Sequence, residues 1–114
     1  MRALPTVLTM LLLGSAANAD EPATEAANVA AGRLVYMTYC IACHQLDGTG
    51  MNGRLAADFV NDPTRLVKSD EILLASIAKG VPGTSMPAWG ATVEPSRRKS
   101  VLAFIRAEFG KKEP

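Results

Sequence analysis

The chain has 114 residues, of which 48% are hydrophobic and 20% charged, with a formal net charge of +1. That length bounds it to one small domain, and the near balance of charge excludes the strongly basic face of a nucleic-acid binder. Two cysteines and one histidine are present, so a staple for a small domain must come from one disulfide or from a bound group.

The chain opens "MRALPTVLTMLLLGSAANAD", in which Arg2 precedes an apolar run at residues 7–13 and then the small triplet Ala17, Asn18, Ala19. This is the grammar of a secretory signal peptide over residues 1–19, with cleavage after Ala19. A spanning helix needs about 20 apolar residues, so the run is too short for stable membrane insertion. No cysteine follows the cleavage point to take a lipid anchor. Arg2 leaves with the leader, and residues 20–114 then carry eleven basic and eleven acidic side chains and no formal charge.

Residues 20–28, "DEPATEAAN", read as a flexible lead-in that becomes helix near Glu25. In the helix that follows, Val29, Leu34, Val35 and Tyr36 have helical spacing and Gly32 interrupts the middle, at a cost of about 1 kcal/mol relative to alanine. A glycine kept there implies a close contact. Gly48, Gly50 and Gly53 make the next stretch irregular. Ser69, followed by Asp70 and Glu71, is the N-cap of a second helix with Ile72, Leu73 and Ile77 on one side and Gly80 as its stop. "VPGTSMPAWGATVEP" is too rich in proline and glycine for regular structure. From Pro95 or Ser96 a last helix presents Val101, Leu102, Ile105 and Phe109 and ends at Gly110. No strand pattern appears, so the fold class is all-α, with three or more short helices and long loops. Irregular connections of this length are uncommon unless they have a task; here they are expected to wrap an object that completes the core.

Both cysteines and the only histidine fall within "CIACH", at Cys40, Cys43 and His44. Four chemistries compete for them. Structural zinc would need a fourth ligand, for which only carboxylates remain. A thioredoxin-like redox pair would need a βαβ context that the chain lacks. A disulfide closing so small a loop contributes little. The fourth is covalent attachment of haem c, in which two thiols three apart on a helical turn bond one porphyrin and the adjacent histidine reaches the iron. A second axial ligand should come from far along the chain. No other histidine exists, Met10 leaves with the leader, and Met37 and Met51 lie too near the motif. That leaves Met86, stiffened by Pro87.

These residues resemble the class I monohaem c-type cytochromes over nearly all of residues 20–114, and the cytochrome c domain is expected at 29–114. The attachment motif and "GTSMP", about forty residues later, are similar to that family's two ligand segments. Gly32 with Tyr36, and Phe104, look like its pair of contacting helices. The resemblance implies a small cytochrome c fold around one haem c bonded through Cys40 and Cys43, with His44 and Met86 on the metal. It implies a monomeric periplasmic one-electron carrier, not an enzyme. Its donor would be a dehydrogenase or respiratory complex and its acceptor an oxidase or reductase. A haem peroxidase or gas-binding module with a labile Met86 is the alternative, and the lack of a second histidine for acid–base work weighs against it. Two departures stand out. Ala56 and Ala57 occupy the loop where the family often has a proline near the carbonyl that orients the proximal histidine, and Phe104 replaces a commoner tyrosine. Trp89 is expected either to wall the haem or to anchor its loop.

Overall fold

The computed structural model describes residues 2–6 and 24–110. The leader's apolar run and cleavage point lie outside the described residues. The helices are α1, Glu25–Val35; a π-helical turn, Tyr36–Cys40; α2, Ile41–His44; α3, Asp70–Lys79; and α4, Pro95–Phe109. No strand occurs among the described residues, and no helix among them is long and apolar enough to cross a membrane.

Thr24 starts α1 by accepting the Ala27 amide at its Oγ1, 3.1 Å away. The helix therefore begins at Glu25, where the lead-in was expected to turn helical. Asn28 also reaches the far side of the domain, where its Oδ1 accepts the Ser100 hydroxyl of α4. The α1–α4 crossing is the main helix contact of the fold. At its centre Gly32 lies against Ser100 and Phe104, as the close-contact reading required.

The core beneath that crossing consists of Val35, Tyr36, Val93, Val101, Phe104, Ile105 and Phe109. Tyr36 sits between Phe104 and Phe109, with ring centroids 5.3 and 5.5 Å away. These distances suit tilted aromatic pairs. The apolar face expected on α4 is thus realised, and Gly110 follows its last turn.

The Ser69 hydroxyl caps α3 by accepting the Ile72 amide at 3.3 Å, and Gly80 at φ 75° ends it. None of its residues is buried, however. Ile72, expected on the inner side, is 54% exposed, whereas Leu73 and Ser76 face an open cleft. The helix thus divides its apolar residues, Ile77 packing on the core and Leu73 lining the cleft. Arg106 holds this layer to α4, donating to the carbonyls of Leu66 at 2.6 Å and Lys68 at 2.8 Å and to the Asp70 carboxylate at 2.9 Å.

Candidate functional site

The cleft has a volume of about 550 Å³, within the usual range for a ligand pocket. Cys40, Cys43, His44 and Met86 all line it. Met37 instead packs on the core, and Met51 is 49% exposed; neither borders the cleft. Its lining contains Arg54, Arg65 and Lys68 but no aspartate or glutamate.

Local backbone geometry delivers the motif. The Ile41 amide donates to the Tyr36 carbonyl across the π-helical turn, a one-residue widening that tends to occur at functional positions. Cys40 is half-buried and Cys43 exposed, and both thiols are free. Burial, assisted by the neighbouring Cys43 sulfur, pushes the Cys40 thiol up to about 11. His44 is 8% exposed. Its Nδ1 is 3.3 Å from the Ala57 carbonyl, and its ring stacks on Phe59 at 4.5 Å and 15°. Burial lowers the His44 pKa against the opposing effect of the Ala57 contact. The imidazole is accordingly neutral, with Nδ1–H donated to the carbonyl and Nε2 left with a free lone pair.

The loop that supplies Ala57 and Phe59 is tied back to the motif. The Gly50 amide donates to the His44 carbonyl at 2.9 Å, and the Phe59 amide to the Gly48 carbonyl at 2.9 Å. Gly48 has φ 75°, and a Cβ there would lie 2.6 Å from the Phe109 ring, so both conformation and space demand glycine. Asp58, also 8% exposed, closes the next turn by accepting the amides of Val60 and Asn61 and the Asn61 side-chain amide.

On the other wall, Met86 is half-buried. Its carbonyl accepts the Val81 amide at 3.2 Å, and its amide donates to Thr84 Oγ1 at 3.2 Å. Amides of Trp89 and Gly90 pair with the carbonyls of Ile77 and Ala78, fastening the loop to the end of α3. Trp89 lines the cleft and packs on Tyr39 at 5.4 Å. The four sequence-derived residues therefore share one cavity. Of the loop at Ala56 and Ala57, expected near the carbonyl that orients the histidine, it is Ala57 that makes the contact; the Phe59 ring and the three cations were not singled out from the sequence, because each reaches the cleft through loop geometry that no periodicity encodes.

This donor set discriminates among the four chemistries. Among the described residues, no three histidine, cysteine or carboxylate side chains converge to hold a bare metal ion. The arrangement instead offers two thiols, one imidazole nitrogen and one thioether around an apolar space, which fits a porphyrin bonded at its edge and ligated on its metal.

Comparison with known proteins gives the same assignment. The family model described as cytochrome C oxidase, cbb3-type, subunit III, matches residues 27–105. The cbb3-type cytochrome c oxidase subunit FixP of Bradyrhizobium diazoefficiens is 32% identical over 92 residues, covering 80% of this chain and 31% of that protein. The chain thus spans about a third of the length of the curated relatives it matches. Among solved structures, the KustC0563 c-type cytochrome superposes with a TM-score of 0.57 at 26% identity, over 71% of this chain and 98% of that one. The c-type cytochrome NirC gives 0.52 at 29% identity, over 70% and 91%.

Proposed function

The chain belongs to the cbb3-type oxidase subunit III family of c-type cytochrome domains, and from that membership we propose that it is a periplasmic one-electron carrier rather than an enzyme. Cys40 and Cys43 would bond one haem c, with His44 and Met86 as axial ligands. The observation that carries this reading is the convergence of both thiols, the only imidazole and Met86 on one cleft that excludes Met37 and Met51. The cleft lining carries Arg54, Arg65 and Lys68 and no carboxylate, which suits the anionic propionate edge of such a group, Arg65 being already paired with Asp62 at 2.9 Å.

Haem c, when bound, supplies reversible one-electron exchange at its iron. The protein's part is to hold the ligands still and keep water away. Ala57 fixes the tautomer of His44 and Phe59 fixes its plane. The hydrogen-bonded turn at Val81, Thr84 and Met86 presents the thioether without relying on a flexible backbone. Leu73, Trp89 and Phe59 give the cavity its apolar walls. With His44 and Met86 both holding the metal, as proposed, and no second histidine in the chain, the cleft would offer substrate no metal position and has no imidazole left for acid–base catalysis. Export follows from the leader pattern at residues 1–19. The domain's partners are redox proteins, and the FixP relative directs attention to a terminal oxidase as the acceptor.

Intact mass of protein from the periplasmic fraction tests this. The expected value is the chain from Asp20 plus one haem, with a haemochrome spectrum of haem c and reversible reduction in stopped flow. Haem extractable by acidified solvent, or rapid carbon monoxide binding by the reduced wild type, would overturn it.

A further inference from the structure

We infer that Tyr36 is a positioning residue for His44: its hydroxyl clamps the Gln45 carbonyl and so holds a left-handed turn that aims the imidazole at Ala57 and Phe59. The inference rests on the reading of the cleft as a haem c site, which makes the aim of His44 matter.

Tyr36 has no exposed surface, yet it carries a polar atom into the core. That hydroxyl donates to the Gln45 carbonyl at 2.5 Å. Burial pushes its pKa far up, so it stays protonated and acts on the carbonyl only as a donor. Gln45, the residue directly after His44, stands at φ 69° and ψ 162°. Side chains avoid that region, and glycine occupies it freely. Met51 and Asn52, the other non-glycine residues with positive φ, both lie at 56°.

Several bonds hold the strained residue. The Gln45 amide donates to the Ile41 carbonyl at 2.9 Å, and the Gly48 amide donates to the Gln45 carbonyl at 3.1 Å. The Gln45 side-chain amide donates to the Ala42 carbonyl at 3.1 Å. All of these are local. Among the described residues the Tyr36 hydroxyl gives the one hydrogen bond from the turn to the ring cluster of Tyr36, Phe104 and Phe109, against which Gly48 also packs. Because Gly48 and Gly50 leave this same turn and bond Phe59 and His44, a relaxed Gln45 would swing the loop that carries both partners of the imidazole. The route runs from Tyr36 to the Gln45 turn, then through the glycine loop to Ala57 and Phe59.

The chain's single histidine makes the test direct. With nitrogen-15 histidine in the haem-loaded full chain, one imidazole is observed. Tyr36→Phe keeps the ring and removes the hydroxyl. It should shift the His44 Nδ1 resonance and speed exchange of its proton by about tenfold, the equilibrium equivalent of one hydrogen bond. Gln45→Gly, which needs no clamp, should leave the wild-type resonance in place and restore it in the Tyr36→Phe background. A Tyr36→Phe protein with a lower unfolding midpoint but an unmoved His44 resonance would overturn the inference, as would a double variant that gains nothing from the glycine. Covalent haem is scored separately by mass. Its absence would refute the carrier reading, while the same resonance in the haem-free chain would still decide the clamp.

Discussion

The main-chain oxygen of Ser100 occupies the space a side chain on Gly32 would need: a Cβ built there would lie 1.9 Å from that oxygen and 2.9 Å from the Phe104 Cβ. The obstacle is helix backbone, which no rotamer change can move aside. Gly32→Ala should therefore force α1 and α4 apart and cost about 3 kcal/mol or more, at the top of the range for overpacking. Guanidinium unfolding followed by helical circular dichroism measures this. A midpoint equal to that of the wild type would show that the crossing yields.

The reach of the sequence can be judged from this pair. Gly32 advertised a close approach because a mid-helix glycine is costly, and the helix caps at Ser69 and Gly80 and the face of α4 were equally legible from spacing. The motif at Cys40, Cys43 and His44 was legible because its chemistry demands adjacency. Met86 followed by elimination. The second partner of Gly32 was hidden, since a carbonyl oxygen is common to every residue and Ser100 carries no pattern. For the same reason the loop of Ala56 and Ala57 was legible but not which of its carbonyls meets His44, and Phe59 was hidden because a lone aromatic in a loop has no periodicity. The left-handed Gln45 receives its bond from the Tyr36 hydroxyl nine residues away, which local propensity does not contain, and the π-helical turn has no signature in residue spacing.

Met86 is the one methionine among the described residues that borders the cleft. Met86→Ala should abolish the far-red sulfur-to-iron band of the oxidised protein, lower the reduction potential and let the reduced protein bind carbon monoxide. Met51→Ala and Met37→Ala should leave all three unchanged. Retention of the band in Met86→Ala would place the thioether ligand elsewhere.

Asp58 gives a pH signature. Its hydrogen bonds from Asn61 and Val60 hold the carboxyl below the ordinary carboxylate range, against the opposing effects of burial and, more weakly, of Asp62. The folded state then binds this proton less readily than the unfolded one. Its contribution is present above the ordinary carboxylate pKa and is lost as pH falls through the folded value. Asp58→Asn turns an amide donor toward the Asn61 amide and should be less stable than wild type at pH 7. The gap should close as pH drops from about 5 to about 2. Urea midpoints across that series check it; a gap independent of pH would mean that the charge contributes nothing.

Docking to a redox partner should depend more on apolar contact than on charge. Arg97, Arg98 and Lys99 are consecutive in sequence, but the fold gives each a different setting. Arg97 lies over the Tyr39 ring, 6.0 Å from its centroid. Arg98 donates to the carbonyls of Gly90 and Val93 at 3.1 and 2.6 Å, holding the segment after Trp89 to α4. Lys99 lines a separate groove between α1, α3 and α4. Ile41, inside the attachment motif, packs against the core. Leu55 at 45% exposure and Val81 at 38% are left at the cleft. A carrier must release its partner, so the contact should stay below about 1,200 Å². The association rate should then fall only a few-fold as the Debye length shrinks from about 30 to about 8 Å. Arg97→Ala and Lys99→Ala should scarcely change the rate, while Val81→Asp should slow it markedly. Stopped-flow electron transfer across an ionic-strength series decides the matter. An order-of-magnitude loss of rate with salt would move the docking role to charge, and Arg54, Arg65 and Lys68 on the cleft wall would be the next residues to neutralise.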